Sequence, residues 1–193
     1  MKEIIFFSNN ENKIIEICSL LKTSAFNILN LRDFDKIKSP AETGNSFNEN
    51  AKIKSLFGLN KFNKMCFADD SGICIEAMGG GPGINSSDFL NSKKKTNVLN
   101  YIINITQSKN NFNAYFQTTV CLAINKNSFF YFTGKIMGKI SNNIKGVNGF
   151  GYDPIFIPSG YSITFAEMDI FEKNKISHRS IALSKLKKYL LSI

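Results

Sequence analysis

Two adjacent carboxylates stand inside an apolar stretch of this chain. Met65-Cys66-Phe67-Ala68 leads into Asp69-Asp70-Ser71-Gly72, and Ile73-Cys74-Ile75 follows. Any fold that buries the flanking residues must also satisfy the two charges. Ionised carboxylates in a core are costly unless they are paired, hydrogen-bonded or bound to a metal. Carboxylate oxygens are also the donors that a hard cation such as Mg²⁺ prefers. The stretch therefore reads in two ways. It is either a polar strand end closed by a Ser-Gly turn, or a cation site at the end of a buried strand.

Strand-like and helix-like segments alternate around it. Lys2 to Ser8 reads as a strand, and the polar stretch Ser8-Asn9-Asn10-Glu11-Asn12 opens a helix whose buried face carries Ile14, Ile15, Cys18 and Leu21 at helical spacing. Phe26 to Leu31 reads as a second strand, Phe47 to Phe62 as a helix and Met65 to Ala68 as the strand before the acidic pair. Gly79-Gly80-Gly81-Pro82-Gly83 must be a loop or tight turn. Val98 to Ile105 is helical, Tyr115 to Ile124 and Phe129 to Ile136 are two long strands joined around Lys126-Asn127, and Ile155 to Ile157 is strand-like. Ile176 to Leu191 closes the chain as an amphipathic helix. This order predicts an α/β protein with a mixed central sheet flanked by helices. At 193 residues, without repeats or a linker of disordered composition, residues 1–193 are expected to form one domain.

Composition narrows the function classes. No apolar run approaches the length of a membrane-spanning helix, and Met1 to Phe7 lacks a signal-peptide layout, so a cytoplasmic protein with no membrane partner is expected. Cys18, Cys66, Cys74 and Cys121 form no CxxC pair and are expected to be reduced core residues, not a zinc site or a disulfide framework. His178 is the sole histidine, which excludes a multi-histidine metal site. The net charge of +9 admits three readings: a nucleic-acid surface, attraction of a small polyanion such as a nucleoside triphosphate, or a solvated Lys-rich surface.

Four segments could carry chemistry beside the acidic pair. In Ser8 to Lys13 a helix N-terminus would present N–H groups to phosphate, with Lys13 adding a point charge; the plain alternative is a cap at Asn10 or Asn12. Glu16 lies three residues beyond Lys13 and is expected to pair with it. Glu42-Thr43-Gly44, followed by Asn50-Ala51 and Lys54, matters only as a partner of the acidic pair. Phe150-Gly151-Tyr152-Asp153-Pro154 has glycines that admit a flat ligand, aromatics that could stack on a base and a carboxylate for a ring N–H; it also reads as a turn with core aromatics. Ser177-His178-Arg179 places two donors in a first helical turn, where cations are disfavoured, and so points to an acceptor-rich ligand.

Together these segments resemble the inosine-triphosphate pyrophosphatase family. The resemblance runs through Ser8 to Glu16, Glu42 to Lys54, Ala68 to Gly83, Gly149 to Phe156 and Ala166 to Ala182. It implies two lobes around a deep nucleotide-binding cleft, usually in a homodimer. It implies hydrolysis of ITP, dITP and XTP to the monophosphate and pyrophosphate. By position, Ser8, Asn9, Asn10, Glu11, Asn12, Lys13 and Lys54 would hold the triphosphate, and Ser71 would touch the substrate. Glu42 and Asp70 would hold Mg²⁺, with Asp70 also orienting or deprotonating the attacking water. Phe150, Gly151, Tyr152, Asp153, Lys173, His178 and Arg179 would grip the base. Donors from His178 and Arg179 would pair with O6 of hypoxanthine or xanthine and leave adenine mismatched, at roughly 1–3 kcal/mol for each unpaired donor. Asn85 and Asp88 depart from the family, which usually carries an aromatic and a basic residue there, and Lys93 to Lys95 is the run that could replace the missing charge. Two alternatives from other classes are a nucleotide-binding module with weak catalysis and a basic nucleic-acid-binding protein.

Overall fold

The computed structural model describes residues 2–21, 26–34 and 37–193. Among them are six strands and six helices in an α/β order. The chain runs β1 (Lys2–Phe6), α1 (Glu11–Leu20), β2 (Phe26–Asn30), α2 (Phe47–Phe62), β3 (Cys66–Ile75), α3 (Ser86–Asn91) and α4 (Lys95–Ser108). It continues through β4 (Asn113–Asn125), β5 (Ser128–Ile140), β6 (Phe156–Pro158), α5 (Ile170–Ile176) and α6 (His178–Leu190). The strands form one mixed sheet in the order β2-β1-β3-β4-β5-β6. β1 is parallel to both β2 and β3, whereas β5 and β6 are antiparallel. Ile4, Ile5 and Phe6 in β1 are all buried, as a parallel strand covered on both faces requires. Among the described residues no helix is long and apolar enough to cross a membrane.

Most elements fall where hydrophobic spacing put them, and α2 has the expected bounds. Three do not. β3 does not end at Ala68; it runs through both carboxylates and through Ser71-Gly72, which is strand and not a turn. The ladder can continue because each carboxylate meets cations in the core. α5 has no counterpart among the expected elements: the closing helix expected over Ile176 to Leu191 is α6, and an extended Ser177, with ψ of 152°, separates the two. α5 has its own start signal: Asp169 accepts from the Glu172 N–H while the Glu172 side chain accepts from the Asp169 N–H. α3 carries too short an apolar pattern to stand out in the sequence. At α1 the cap is Asn10, whose side chain accepts from the Lys13 N–H, and the buried face is Ile14, Glu16 and Ile17; Ile15 and Cys18, expected on it, are exposed.

The chain divides into two compact units. The first comprises Met1–Asp70, Thr118–Gly134 and Arg179–Ile193; the second comprises Ser71–Gln117 and Lys135–His178. The first unit buries two layers. Ile4, Phe6, Ile14, Ile17, Phe67, Leu183 and Leu186 pack together in one, and Ile5, Phe7, Leu59, Cys66 and Ala68 in the other. Successive residues of β1 and β3 alternate between these layers, as the two-residue period of a strand dictates. The second unit has one core, in which Phe116, Phe156 and Phe165 pack against Ile73, Leu99 and Ile102.

Candidate active site

That alternation sorts the two carboxylates. Asp69 follows Phe67 by two residues and faces α1 and α6. Its Oδ2 lies 2.9 Å from Lys13 Nζ and 3.7 Å from a guanidinium nitrogen of Arg179. Asp70 follows Ala68 and faces α2, whose Lys54 places Nζ 3.1 Å from Asp70 Oδ1. The same ammonium is 2.9 Å from Glu42 Oε2. Asp69, Asp70, Lys54 and Arg179 are all buried, whereas Glu42 is exposed on the segment before α2.

Burial sets the protonation of this cluster. It pushes the Asp70 carboxyl up to about 6; the Lys54 and Lys13 ammoniums pull the other way, and the Glu42 carboxylate adds to the rise. Burial also works to lower the Lys54 ammonium, but the carboxylates of Asp70, Asp69 and Glu42 overcome it and hold the group above the ordinary lysine value. For Lys13 burial wins over Asp69, and the nearby Lys54 and Arg179 charges add to it, so the ammonium is lowered. A carboxyl poised near 6 is ionised at neutral pH and is basic enough to take a proton from water.

Among the described residues no group of three or more His, Cys, Asp or Glu side chains gathers as a metal cluster. Glu42 and Asp70 nevertheless converge on one cation, the Lys54 ammonium. Two carboxylates converging on a positive charge suit a hard divalent ion that takes its other ligands from phosphate and water.

The second unit holds a separate constellation. Asp153 Oδ2 accepts from the Phe150 N–H at 2.8 Å and from Lys173 Nζ at 2.7 Å. Lys173 Nζ also lies 4.9 Å from the centre of the Phe150 ring. This turn requires glycine at 149: its φ is +69°, and a Cβ there would stand 2.1 Å from Asp153 Oδ2. His178 stacks on Phe116, with ring centres 4.7 Å apart and planes 9° from parallel. The Tyr152 hydroxyl donates to the Ser86 carbonyl at 2.6 Å, so this buried phenol braces the turn from beneath.

The remaining predicted residues sort by exposure. Ser8 is half-buried and accepts from the Asn10 N–H, and Glu11 and Asn12 are exposed, with Glu11 ion-paired to Arg32. Asn9 donates to the Ile37 carbonyl and to Ser39 Oγ. Ser71 is half-buried in the second unit, as is Gly151, whose φ is +64°. The expected pairing of Lys13 with Glu16 does not form. Glu16 faces the core and ion-pairs with Arg179, leaving Lys13 to Asp69. Arg179 therefore lies on two carboxylates of the first unit. Sequence reasoning gave no role to Phe116, a strand aromatic like many others, and named Asn50 with Glu42 and Lys54 without assigning it a contact, although Asn50 lies one helical turn before Lys54.

Buried ammonium groups beside carboxylate oxygens, as at Lys13, Lys54, Asp69 and Asp70, are an arrangement suited to phosphate chemistry. The Ham1 family matches residues 4–189. A dITP/XTP pyrophosphatase of Flavobacterium psychrophilum is 40% identical over 185 residues, covering 95% of this chain and 96% of that protein. A dITP/XTP pyrophosphatase of Porphyromonas gingivalis is 34% identical, covering 99% of this chain and 98% of the other. The solved structure of a HAM1 protein from Coxiella burnetii superposes with a TM-score of 0.91 at 32% identity and full coverage of both chains. The chain belongs to the Ham1 family.

Proposed function

We propose that this protein hydrolyses ITP, dITP and XTP to the monophosphate and pyrophosphate, with Mg²⁺, and so clears aberrant purine nucleotides. The observation that carries the reading is the Glu42–Lys54–Asp70 cluster, with Asp70 raised to about 6. The activity named for the relatives supports it.

Glu42 and Asp70 are the residues that would hold Mg²⁺, which when bound neutralises phosphate charge and makes water a better nucleophile. Lys13 and Lys54 bring ammonium groups to the first unit's phosphate-binding side and stabilise negative charge building on the phosphate oxygens. Asp70 accepts the proton of the attacking water as that water bonds to phosphorus and the bridging oxygen leaves with pyrophosphate. The N-terminal turn of α1 offers N–H donors to the phosphates.

The second unit reads the base. Phe150 supplies a stacking face, Lys173 and His178 supply donors for O6, and Asp153 holds Lys173 in place. Adenine presents an amino group where hypoxanthine presents O6, so ATP offers these donors no acceptor at that position. An unmet buried donor costs about 1–3 kcal/mol, and two such losses give discrimination on the order of 10²-fold.

Initial rates of pyrophosphate release test this reading. ITP, dITP and XTP are expected to turn over far faster than ATP, CTP and UTP. Equal turnover of ATP and ITP overturns the assignment.

A further inference from the structure

The segment that carries Glu42 has little structure of its own. Residues 37–46 form no helix or strand. Glu42 must nevertheless stand at a set distance from Asp70, which is locked in β3. Two buried side chains of α2 join them: the Lys54 ammonium, on Glu42 and Asp70 themselves, and Asn50, which takes hold of the segment's backbone. Asn50, in the first turns of α2, is 3% exposed. Its Oδ1 accepts from the Gly44 N–H at 2.8 Å, two residues beyond Glu42. Its Nδ2 donates to Asp70 Oδ2 at 3.4 Å.

The orientation of this amide follows from its neighbours. A backbone N–H can only donate, so the oxygen faces Gly44 and the NH₂ group faces the carboxylate. Asn50 and Lys54 are four residues apart and share one helix face. They divide Asp70 between them, Lys54 on Oδ1 and Asn50 on Oδ2. Gly44 is shaped to the same contact. A Cβ there would stand 2.7 Å from Asn50 Oδ1 and 2.6 Å from Glu49 Cβ, so any larger residue pushes the segment off the amide.

We propose that Asn50 is a positioning residue, which holds the Glu42 segment and the Asp70 carboxylate in one register by bonding Gly44 with its oxygen and Asp70 with its nitrogen. It acts through Glu42 and Asp70 and therefore rests on the pyrophosphatase reading. Two substitutions divide its contacts. Asn50→Ala removes both. Asn50→Asp keeps the shape and the acceptor for Gly44 but turns an oxygen toward Asp70.

The test measures kcat and KM for ITP with Mg²⁺ in wild type and both variants, together with hydrogen exchange at the Gly44 amide. In Asn50→Ala, kcat is expected to fall at least about tenfold with KM within about threefold, and Gly44 exchange to accelerate. In Asn50→Asp, Gly44 is expected to stay protected while kcat still falls at least about tenfold. A folded variant that keeps kcat within about threefold of wild type overturns the inference, as does an unchanged Gly44 exchange rate in Asn50→Ala. Should Asn50→Ala fail to fold, Asn50→Asp decides alone. A wild-type protein that releases no pyrophosphate from ITP overturns the functional reading and this inference with it. Active wild type with equally active variants overturns the inference alone.

Discussion

Arg179 sits 2% exposed between the carboxylates of Glu16 and Asp69. Removing one partner of a buried ion pair leaves a stranded charge, at about 3–5 kcal/mol. Arg179→Ala is therefore expected to lower the melting temperature sharply and to slow ITP and ATP alike. A variant that melts like wild type but loses its preference for ITP would return Arg179 to the base. Asp70 gives the protein an acid limb. Its carboxylate is the working form and protonates below about 6, so kcat/KM should rise with pH through about 6, well above an ordinary aspartate at about 4. Lys54 pulls that value down and Glu42 pushes it up. Lys54→Ala should thus move the limb to higher pH, and Glu42→Gln to lower pH. Limbs that move the other way, or a profile still flat at pH 5, contradict this account of Asp70. Residue types were legible at this scale and pairings were not. Glu16 is three residues from Lys13 in sequence yet turns to the core, because α1 buries Ile14 and Ile17 on the side facing α6.

Helix α2 carries Asn50 and Lys54 and leans on β3 through a glycine. A Cβ at Gly58 would stand 2.3 Å from Cys66 Sγ and 3.0 Å from Phe7 Cδ2. Alanine favours a helix interior over glycine by about 1 kcal/mol, but overpacking a core costs about 1–3 kcal/mol. Gly58→Ala is expected to lower the melting temperature, and adding Cys66→Ala should recover part of the loss; a more stable single variant would refute the close approach. Helix α5 places Lys173 and starts on the Asp169–Glu172 capping box. Asp169→Ala should cost about 1 kcal/mol and loosen the hold on Lys173, seen as faster exchange along α5 and a smaller ITP preference over ATP. Long periodic elements such as α2, β4 and β5 were legible from spacing alone. The capping pattern at Asp169 was the signal that would have found α5. β3 was read as ending at its charges because the cations that satisfy them lie far away in the chain.

At the scale of the molecule, a net charge of +9 suits a polyanionic substrate. Asp88 is exposed in the first turn of α3, and Lys93 to Lys95 are exposed just after it. Neutralising the three lysines should raise KM for ITP at low salt and matter less at high salt, where charges are screened. An unchanged KM and salt dependence would make the run a solvated surface only. Function was legible here because the motifs lie at separate points of the chain in a set order. The place where the chain divides was not, since the boundary falls between Asp70 and Ser71 in the middle of β3. The central claim is that Asp70 drives cleavage between the α and β phosphates. The direct measurement is product chromatography after incubating ITP and Mg²⁺ with wild type and with Asp70→Asn. The expected products of wild type are IMP and pyrophosphate in equal amounts, with Asp70→Asn slower by about 10²-fold or more. Release of IDP and orthophosphate, or an Asp70→Asn variant that keeps more than about a tenth of the wild-type rate, would contradict it.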